Sequence, residues 1–260
     1  MTRAVILAAG QGTRLRPLTD DKPKCLVELA GKSLLSRQIE VLDAADITDI
    51  QIATGYREDQ IRSLGYSTAH NPDYEHTNMV ESLFSARPFL ERCGDLIIAY
   101  GDIVYQPENL AALLACEDEI ALMIDLQWRS LWSLRLDNPL DDAETLVMDS
   151  RGFVTELGKK PKDYENIQGQ YTGLIKIRGD RLTDFIAFYD ALDREQFYDG
   201  KDFDNMYMTS FLQLLIDAGW NARAVTVQSG WLEIDSVDDL QRYEEMNKNG
   251  LLARFYKIND

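Results

Sequence analysis

Short strand-like runs alternate with amphipathic stretches through the first half of the chain. Three of the runs are continuously apolar, which is typical of strands buried on both faces of a parallel sheet. We predict strands at Ala4–Ala8, Ile50–Thr54, Leu96–Tyr100 and Ile120–Asp125, and helices at Ser33–Ala45, Asn78–Ala86 and Pro107–Ala115. This alternation indicates an α/β fold with a doubly wound, mainly parallel sheet.

The second half carries shorter strand candidates separated by polar loops, beginning near residue 128. We predict strands at Glu144–Asp149, Phe153–Leu157, Tyr171–Ile177, Ala222–Val227 and Trp231–Ile234, and helices at Leu182–Leu192, Met206–Ala218 and Ser236–Asn247. No linker, repeat or low-complexity tract separates the two halves. We therefore expect one structural domain over residues 1–260, in which the second half extends the sheet and adds a small lobe.

The charge and cysteine content exclude several classes of protein. The chain has 44 acidic and 27 basic side chains, a formal charge of -17, which repels nucleic-acid phosphates and predicts no nucleic-acid binding. Its three cysteines form no CxxC pair and its two histidines join no ligand set, so we expect no zinc site. No run approaches the ~20 apolar residues of a membrane span. We expect a cytoplasmic protein without membrane insertion, either a monomer or a homodimer.

A glycine-rich loop with four cations follows the first predicted strand, in VILAAGQGTRLRPLTDDKPKCLVEL. Gly10 and Gly12 permit a tight turn and a close approach of backbone N–H groups to an anion, and Arg14 and Lys24 could neutralise phosphates. The spacing matches neither a Walker loop nor a dinucleotide fingerprint. By itself, such a loop is equally typical of an ordinary strand-to-helix turn with solvated cations.

Two further predicted strands also end in glycine followed by a polar residue. These are Gly55-Tyr56 and Gly101-Asp102, which join Gly10-Gln11-Gly12 at the carboxyl edge of the predicted sheet. Ligands of open α/β sheets bind at that edge. The convergence of three such strand ends predicts a ligand site there.

The segment LAAGQGTRLRPLTDDKPK resembles the N-terminal signature of nucleotidyltransferases that make NDP-sugars and related CDP-activated compounds. Within that family the chain is most similar to the phosphocholine and phosphoglutamine cytidylyltransferase-like members. The motifs that extend the resemblance are HTNMVESL, YGDIVY, WRSLWSLRLDNPLDDAETL, ELGKKP, GQYTGLIKI and WLEIDS. The resemblance implies a Rossmann-like fold with a mixed sheet, a nucleotide-binding half over about residues 1–125 and an acceptor-binding half with closing helices over about 126–260.

The resemblance also implies which residues bind the nucleotide. Arg14 and Lys24 are expected to act on its phosphates and to be the catalytic residues. Thr77 and Asn78 could instead simply cap a helix. The full expected set is Leu7, Ala8, Ala9, Gly10, Gln11, Gly12, Thr13, Arg14, Lys24, Gly55, Tyr56, Asn71, Thr77, Asn78, Ser82, Gly101 and Asp102.

Two aspartates match the metal positions of the family, and the expected cofactor is Mg²⁺. Asp102 lies in YGDIVY and Asp235 in WLEIDS. Magnesium prefers carboxylate oxygens completed by phosphates and water. For Asp235, which precedes a predicted helix, ordinary helix capping is the alternative.

Aromatic and acidic residues of the second half could surround a cationic amine, although most of the aromatic residues could equally belong to the core. Lys160 matches the family lysine that meets the acceptor phosphate, whereas Lys159 replaces a glutamate typical of sugar enzymes. The expected acceptor site comprises Asp125, Trp128, Glu144, Lys160, Tyr171, Trp231 and Glu233.

The implied reaction is transfer of a cytidylyl group from CTP to a small phosphorylated amine or amino acid, with release of pyrophosphate. Phosphocholine, phosphoglutamine and an aminoalkylphosphonate are all open as acceptors, and the product would serve surface or capsular polysaccharide decoration. Two other functions also stay open. One is a sugar-1-phosphate nucleotidyltransferase that uses UTP, dTTP or CTP, and the other is a nucleotide-binding regulatory subunit without catalysis.

Overall fold

The computed structural model describes residues 1–258, which form thirteen strands and nine α-helices. The strands are β1 (Arg3–Ala8), β2 (Glu28–Leu29), β3 (Lys32–Ser33), β4 (Ile50–Thr54), β5 (Ser67–His70), β6 (Leu96–Tyr100), β7 (Ile103–Tyr105), β8 (Ile120–Asp125), β9 (Leu146–Met148), β10 (Val154–Leu157), β11 (Gln170–Ile177), β12 (Ala222–Val227) and β13 (Trp231–Glu233). The helices are α1 (Leu34–Ala44), α2 (Glu58–Ser63), α3 (Met79–Phe84), α4 (Arg87–Leu90), α5 (Pro107–Leu114), α6 (Trp128–Arg135), α7 (Leu182–Asp190), α8 (Met208–Asp217) and α9 (Val237–Lys248).

Seven strands form the central sheet in the order β12-β8-β11-β6-β1-β4-β5. Neighbouring strands are parallel except β11, which runs antiparallel to both β6 and β8. The predicted α/β fold with a mainly parallel mixed sheet is therefore confirmed.

The buried strand β1 shows how the sheet divides the core. Because side chains alternate along a strand, Ala4, Ile6 and Ala8 pack into one hydrophobic cluster and Val5 and Leu7 into another. The two clusters cover opposite faces, which is why this strand is apolar at every position from Ala4 to Ala8.

The second half of the chain supplies β8, β11 and β12 to the same sheet. It also forms the separate antiparallel pair of β9 and β10, and β13 pairs with β7 of the first half. A register irregularity interrupts β11 between Tyr171 and Ile175. Irregularities of this kind bend a strand and redirect its side chains, and this one lies beside a cavity described below.

Several elements begin where polar residues cap them. Ser33 caps α1 by accepting from Ser36 N–H, and Ser236 caps α9 in a reciprocal arrangement with Asp239.

The sequence patterns did not predict β5, β7, α2 or α6. The edge strand β5, STAH, has no apolar run to reveal it, and α2 spans only six residues. In residues 1–258, none of the helices has the length and apolar character needed to cross a membrane.

Candidate active site

The carboxyl ends of β1, β4 and β6 meet at one edge of the sheet, as their parallel pairing requires. Close backbone approach explains two of the glycines there. A Cβ on Gly101 would lie 2.6 Å from the Leu7 carbonyl oxygen, and one on Gly12, whose φ is +65°, would lie 2.9 Å from Lys24 Cβ. Gly12 thus lets the glycine loop close directly onto Lys24.

A cleft of about 300 Å³ opens at this edge. It brings together thirteen of the residues that the sequence assigned to nucleotide binding, and it adds Cys25, Tyr74, Met79 and Asp235. The predicted residues in its lining are Leu7, Ala8, Ala9, Gly10, Gly12, Thr13, Arg14, Lys24, Thr77, Asn78, Ser82, Gly101 and Asp102.

Gln11, Gly55 and Tyr56 lie outside this lining, contrary to the expectation that they would face the ligand. The Gln11 amide faces Glu75, and the Tyr56 hydroxyl donates to the Asp20 carbonyl at 2.6 Å. At Gly55, a Cβ would lie 2.4 Å from Tyr74 Cβ. The glycine therefore provides the space in which Tyr74, which the sequence analysis missed, packs and reaches the cleft.

Asn71 also lies outside the lining, buried behind it with 4% exposure. Its amide donates to Thr77 Oγ1 at 2.8 Å and to Ser82 Oγ at 3.1 Å, and its Oδ1 accepts from Asp73 N–H at 3.1 Å. Asn71 positions two lining residues rather than lining the cleft itself.

We expect Asn71→Ala to reduce the free energy of unfolding by about 1–3 kcal/mol, because it removes hydrogen bonds from buried polar groups. The dissociation constant for the nucleotide should also rise, because Thr77 and Ser82 lose their support. Urea unfolding and calorimetric titration with CTP measure the two effects. Unchanged values of both quantities would contradict this role for Asn71.

The charged residues of the cleft form a connected cluster. Lys24 Nζ donates to Asp102 Oδ2 at 2.7 Å and to Asp235 Oδ1, and Arg14 Nη2 donates to Asp235 Oδ2 at 2.8 Å. Burial alone lowers the pKa of Lys24, but the carboxylates of Asp102 and Asp235 outweigh it and raise that pKa. Burial likewise raises the pKa of Asp235, but Lys24 and Arg14 outweigh it and lower that pKa. Lys24 and Asp235 are therefore charged near neutral pH.

Strand pairing brings the two aspartates together. Glu233 of β13 is opposite Ile103 of β7, and the next residue along, Ile234, donates its N–H to the Asp102 carbonyl at 3.0 Å. Asp235 follows immediately and therefore lies beside Asp102. It does not cap α9, because Ser236 does so and the Asp235 carboxylate accepts from Lys24 and Arg14 instead.

Asp102, Glu233 and Asp235 present three carboxylates whose oxygens lie within 4.8 Å of one another. Asp102 Oδ1 is buried and has no hydrogen-bond partner among residues 1–258. Burial raises the pKa of Glu233 to about 8. Asp235 and Asp102 also raise this pKa, whereas the positive charge of Arg135 lowers it. A hard divalent cation with oxygen ligands fits this donor set.

Arg135 supports the acidic cluster from α6 and is 3% exposed in its side chain. It contacts Glu233 at 2.5 Å, Asp239 at 3.1 Å and Asp235 at 3.8 Å. The sequence analysis assigned Arg135 no role. The one signal that could have found it is its position on the same helix as Trp128 and Trp132.

A second cavity of about 170 Å³ adjoins the first. Within residues 1–258, Met79 is the one residue that lines both. Among the predicted acceptor residues, the second cavity gathers Glu144, Tyr171, Trp231 and Glu233, and it adds Tyr100, Trp132, Asp142 and Tyr207. Its lining, taken from the described chain, includes no lysine or arginine.

Glu144 and Asp142 are the two carboxylates of this cavity whose side chains form no hydrogen bond or ion pair in residues 1–258. The backbone of Glu144 is fixed instead, because Glu144 N–H donates to Gln170 Oε1 at 3.0 Å and the Gln170 amide donates to the Glu144 carbonyl at 2.6 Å. Burial raises the pKa of Glu144 to about 7, and Asp142 and Asp199 act in the same direction while Lys160 opposes them.

Three predicted acceptor residues lie outside the lining of the second cavity. Asp125 is 1% exposed and accepts from Gln127 N–H, Ser229 N–H and Trp231 Nε1–H, so it ties loops to the sheet. Trp128 packs in the core against Trp132 and Tyr164. The Lys160 ammonium donates to two backbone carbonyls, those of Leu140 and Asp141, at 2.7 and 2.6 Å.

Comparison with known proteins places this geometry in a family. Residues 4–131 match the model of the MobA-like NTP transferase domain. Over 247 residues the chain is 46% identical to the CTP:phosphoglutamine cytidylyltransferase of Campylobacter jejuni, in an alignment that covers 92% of this chain and 97% of that protein.

Two solved structures share the fold at low sequence identity. The CTP:phosphocholine cytidylyltransferase of Streptococcus pneumoniae is 22% identical with a TM-score of 0.70, covering 95% of this chain and 99% of that one. The inositol-1-phosphate CTP transferase of T. maritima is 21% identical with a TM-score of 0.72, covering 99% and 98%. The 46% identity covers nearly the whole length of this chain and of its relative. The chain therefore belongs to the nucleotidyltransferase family, among the proteins with a MobA-like NTP transferase domain.

Proposed function

We propose that this nucleotidyltransferase transfers a cytidylyl group from CTP to a small phosphorylated amino acid of the phosphoglutamine type. The observation that carries the proposal is the 46% identity to the Campylobacter jejuni enzyme, which extends over 97% of that protein. The two adjoining cavities support it, since one suits a nucleotide and the other a small amine. We place the reaction in the cytoplasm and assign about residues 1–125 to the nucleotide and about 126–260 to the acceptor, within one domain.

The proposed reaction joins the two substrates where the cavities adjoin. A phosphate oxygen of the acceptor attacks the α-phosphorus of CTP, the bond to the bridging oxygen of the leaving group breaks, and pyrophosphate departs. A phosphate with a second pKa near 6 is largely ionised at neutral pH, so no general base is needed. Catalysis then rests on alignment and on cations that reduce the repulsion between anions.

In this proposal Lys24 and Arg14 bind the triphosphate of CTP, together with backbone N–H groups of the glycine loop. Both side chains already face the cleft, and Lys24 is held at its base by the glycine contact described above. Asp102 and Asp235 would hold Mg²⁺. When bound, this ion supplies positive charge to the phosphates.

We further propose that the second cavity binds the amine of the acceptor. Glu144 offers an unpaired carboxylate, and Tyr171 and Trp231 offer aromatic faces, which together suit an ammonium group. A phosphocholine-type acceptor is the second candidate. It is favoured by one observation, the lack of basic residues in this lining within residues 1–258.

A matrix of pyrophosphate-release assays tests the proposal. CTP, UTP, dTTP and GTP are each combined with phosphoglutamine, phosphocholine and glucose-1-phosphate. We expect the highest kcat/KM for CTP with phosphoglutamine. Preference for phosphocholine selects the second candidate, and preference for glucose-1-phosphate selects a sugar nucleotidyltransferase. Binding of CTP without turnover of any pair indicates a regulatory subunit.

The role of Glu144 predicts a pH dependence. An ammonium group binds the ionised carboxylate, and with a pKa of about 7 that form is lost as the pH falls through 7. The KM of wild-type protein for the acceptor should therefore rise as the pH falls below 7, and the rise should approach about tenfold per pH unit. Glu144→Gln should have a high KM at every pH, and the ratio of the two KM values removes the titration of the acceptor phosphate. A ratio that is constant from pH 6 to 8 would rule out this role.

A further inference from the structure

The ammonium group of Lys24 occupies the space between the two aspartates proposed to hold the metal. Its Nζ donates to Asp102 Oδ2 at 2.7 Å and also to Asp235 Oδ1. The Lys24 side chain is 15% exposed, whereas that of Arg14, which bonds the other oxygen of Asp235, is 66% exposed. Lys24 is thus the inner cation of the cluster, and it bonds one oxygen of each aspartate proposed to hold a divalent ion.

The cations around Lys24 already compensate the aspartates. Asp235 contacts Lys24, Arg14 and Arg135, and Asp102 contacts Lys24. A divalent ion that entered beside Lys24 would meet an ammonium group at hydrogen-bond distance from its ligands. At such distances like charges repel strongly in a partly buried site. The ion gains full access to the carboxylates when Lys24 moves away.

The triphosphate of a nucleotide gives Lys24 another partner. The residues that line the cleft beside Lys24 include the glycine loop, so phosphates bound there would lie within reach of its flexible side chain. The backbone of Lys24 stays in place meanwhile, since it belongs to a short 3-10 helix, Lys24–Leu26, packed against Gly12. A swing of the side chain alone would transfer the ammonium group from carboxylate to phosphate.

We propose that Lys24 acts as an exchangeable placeholder, which closes the metal position until a nucleoside triphosphate draws its ammonium group away. The metal and the nucleotide then bind cooperatively, and each raises the affinity for the other by the same factor. This inference rests on the metal role proposed above. It adds a coupling between the two ligands, because the divalent ion gains full access to the aspartates when the nucleotide draws Lys24 away.

Titration calorimetry with Mn²⁺ as the probe tests the exchange without any turnover. Wild-type protein, Lys24→Met and Lys22→Met are titrated in the absence of nucleotide. Methionine keeps much of the lysine length without its charge. Lys22 lies in the same loop and makes no ion pair among residues 1–258, so it serves as the matched control. We expect Lys24→Met to bind Mn²⁺ about tenfold more tightly than the other two proteins, equivalent to ~1.4 kcal/mol.

A second measurement guards against misfolding of the variant. With Lys24 replaced, Asp102 and Asp235 lose the cation that lies between them, so Mn²⁺ should raise the melting temperature of Lys24→Met more than that of wild type. Equal or weaker Mn²⁺ binding by Lys24→Met, together with an unchanged response in melting temperature, would overturn the placeholder role.

A third arm separates this inference from the metal role on which it rests. Wild-type protein is titrated with Mn²⁺ at saturating CTP, after correction for Mn²⁺ binding to free CTP. Tight binding there supports the metal role, and with it a failure of Lys24→Met overturns the exchange alone. If the three proteins without nucleotide and wild-type protein with CTP all fail to bind Mn²⁺, both proposals are overturned.

Discussion

Replacement of Lys24 by alanine is expected to lower kcat/KM for cytidylyl transfer by about a hundredfold to a thousandfold. Lys24 is the less exposed of the two cations that line the first cleft, and a preorganised donor that acts on developing charge typically contributes an effect of this size. The fold should persist, because Arg14 still bonds Asp235 and the sheet edge does not depend on the ammonium group. Pyrophosphate release and circular dichroism measure the two outcomes.

Lys22→Ala provides the control for this experiment. It removes a cation from the same loop at a residue that lies outside the cleft lining. Its kcat/KM should stay within about twofold of wild type, as expected for a solvated surface charge screened by salt. If Lys24→Ala turned over CTP at a rate close to that of the Lys22 variant, the catalytic assignment of Lys24 would be wrong.

The largest expected loss of stability comes from Arg135→Leu. Arg135 is buried and bonds Glu233 and Asp239, and these carboxylates raise its pKa even though burial lowers it. Removal of one partner from a buried ion network typically costs 3–5 kcal/mol, roughly, because charges are left uncompensated. We expect a decrease of that size in the free energy of unfolding, measured by urea denaturation at pH 7.

Arg151→Leu is a matched control for this substitution. Its guanidinium also contacts a carboxylate, that of Asp149, but its side chain is 72% exposed. An exposed pair of this kind contributes about 0–1 kcal/mol. A similar small change for both variants would show that Arg135 adds little to the stability of the fold.

The glycine loop is a part of the site that could be predicted from the sequence. Gly12 and Lys24 belong to one continuous stretch, so their contact follows from a local pattern that can be read along the chain. Asp102 and Asp235 were also predicted to meet, but from motif resemblance. The physical cause of their meeting, the pairing of β7 with β13, is a contact between distant segments that no local periodicity indicates.

The different surroundings of Trp128 and Trp132 could not be predicted from the sequence. The two tryptophans are one helical turn apart on α6, so a helical pattern places them on the same face. In the structure Trp132 lines the second cavity, whereas Trp128 packs against Tyr164 in the core. The difference depends on how the loop that contains Tyr164 lies against the helix. Asp125 is a similar case, since it accepts hydrogen bonds from Ser229 and Trp231, which are 104 and 106 residues away along the chain.

The two cavities have almost separate linings, joined at Met79 within the described chain. Substitutions on α6, β11 and the segment around Glu144 can therefore change the second cavity and leave the glycine loop and its cations as they are. For protein engineering, the same separation predicts that variants of Glu144 or Tyr171 can be screened for new acceptors without selecting again for the nucleotide. Met79, at the junction, has an unbranched thioether side chain that adapts its shape easily. It therefore leaves room for acceptors of different length.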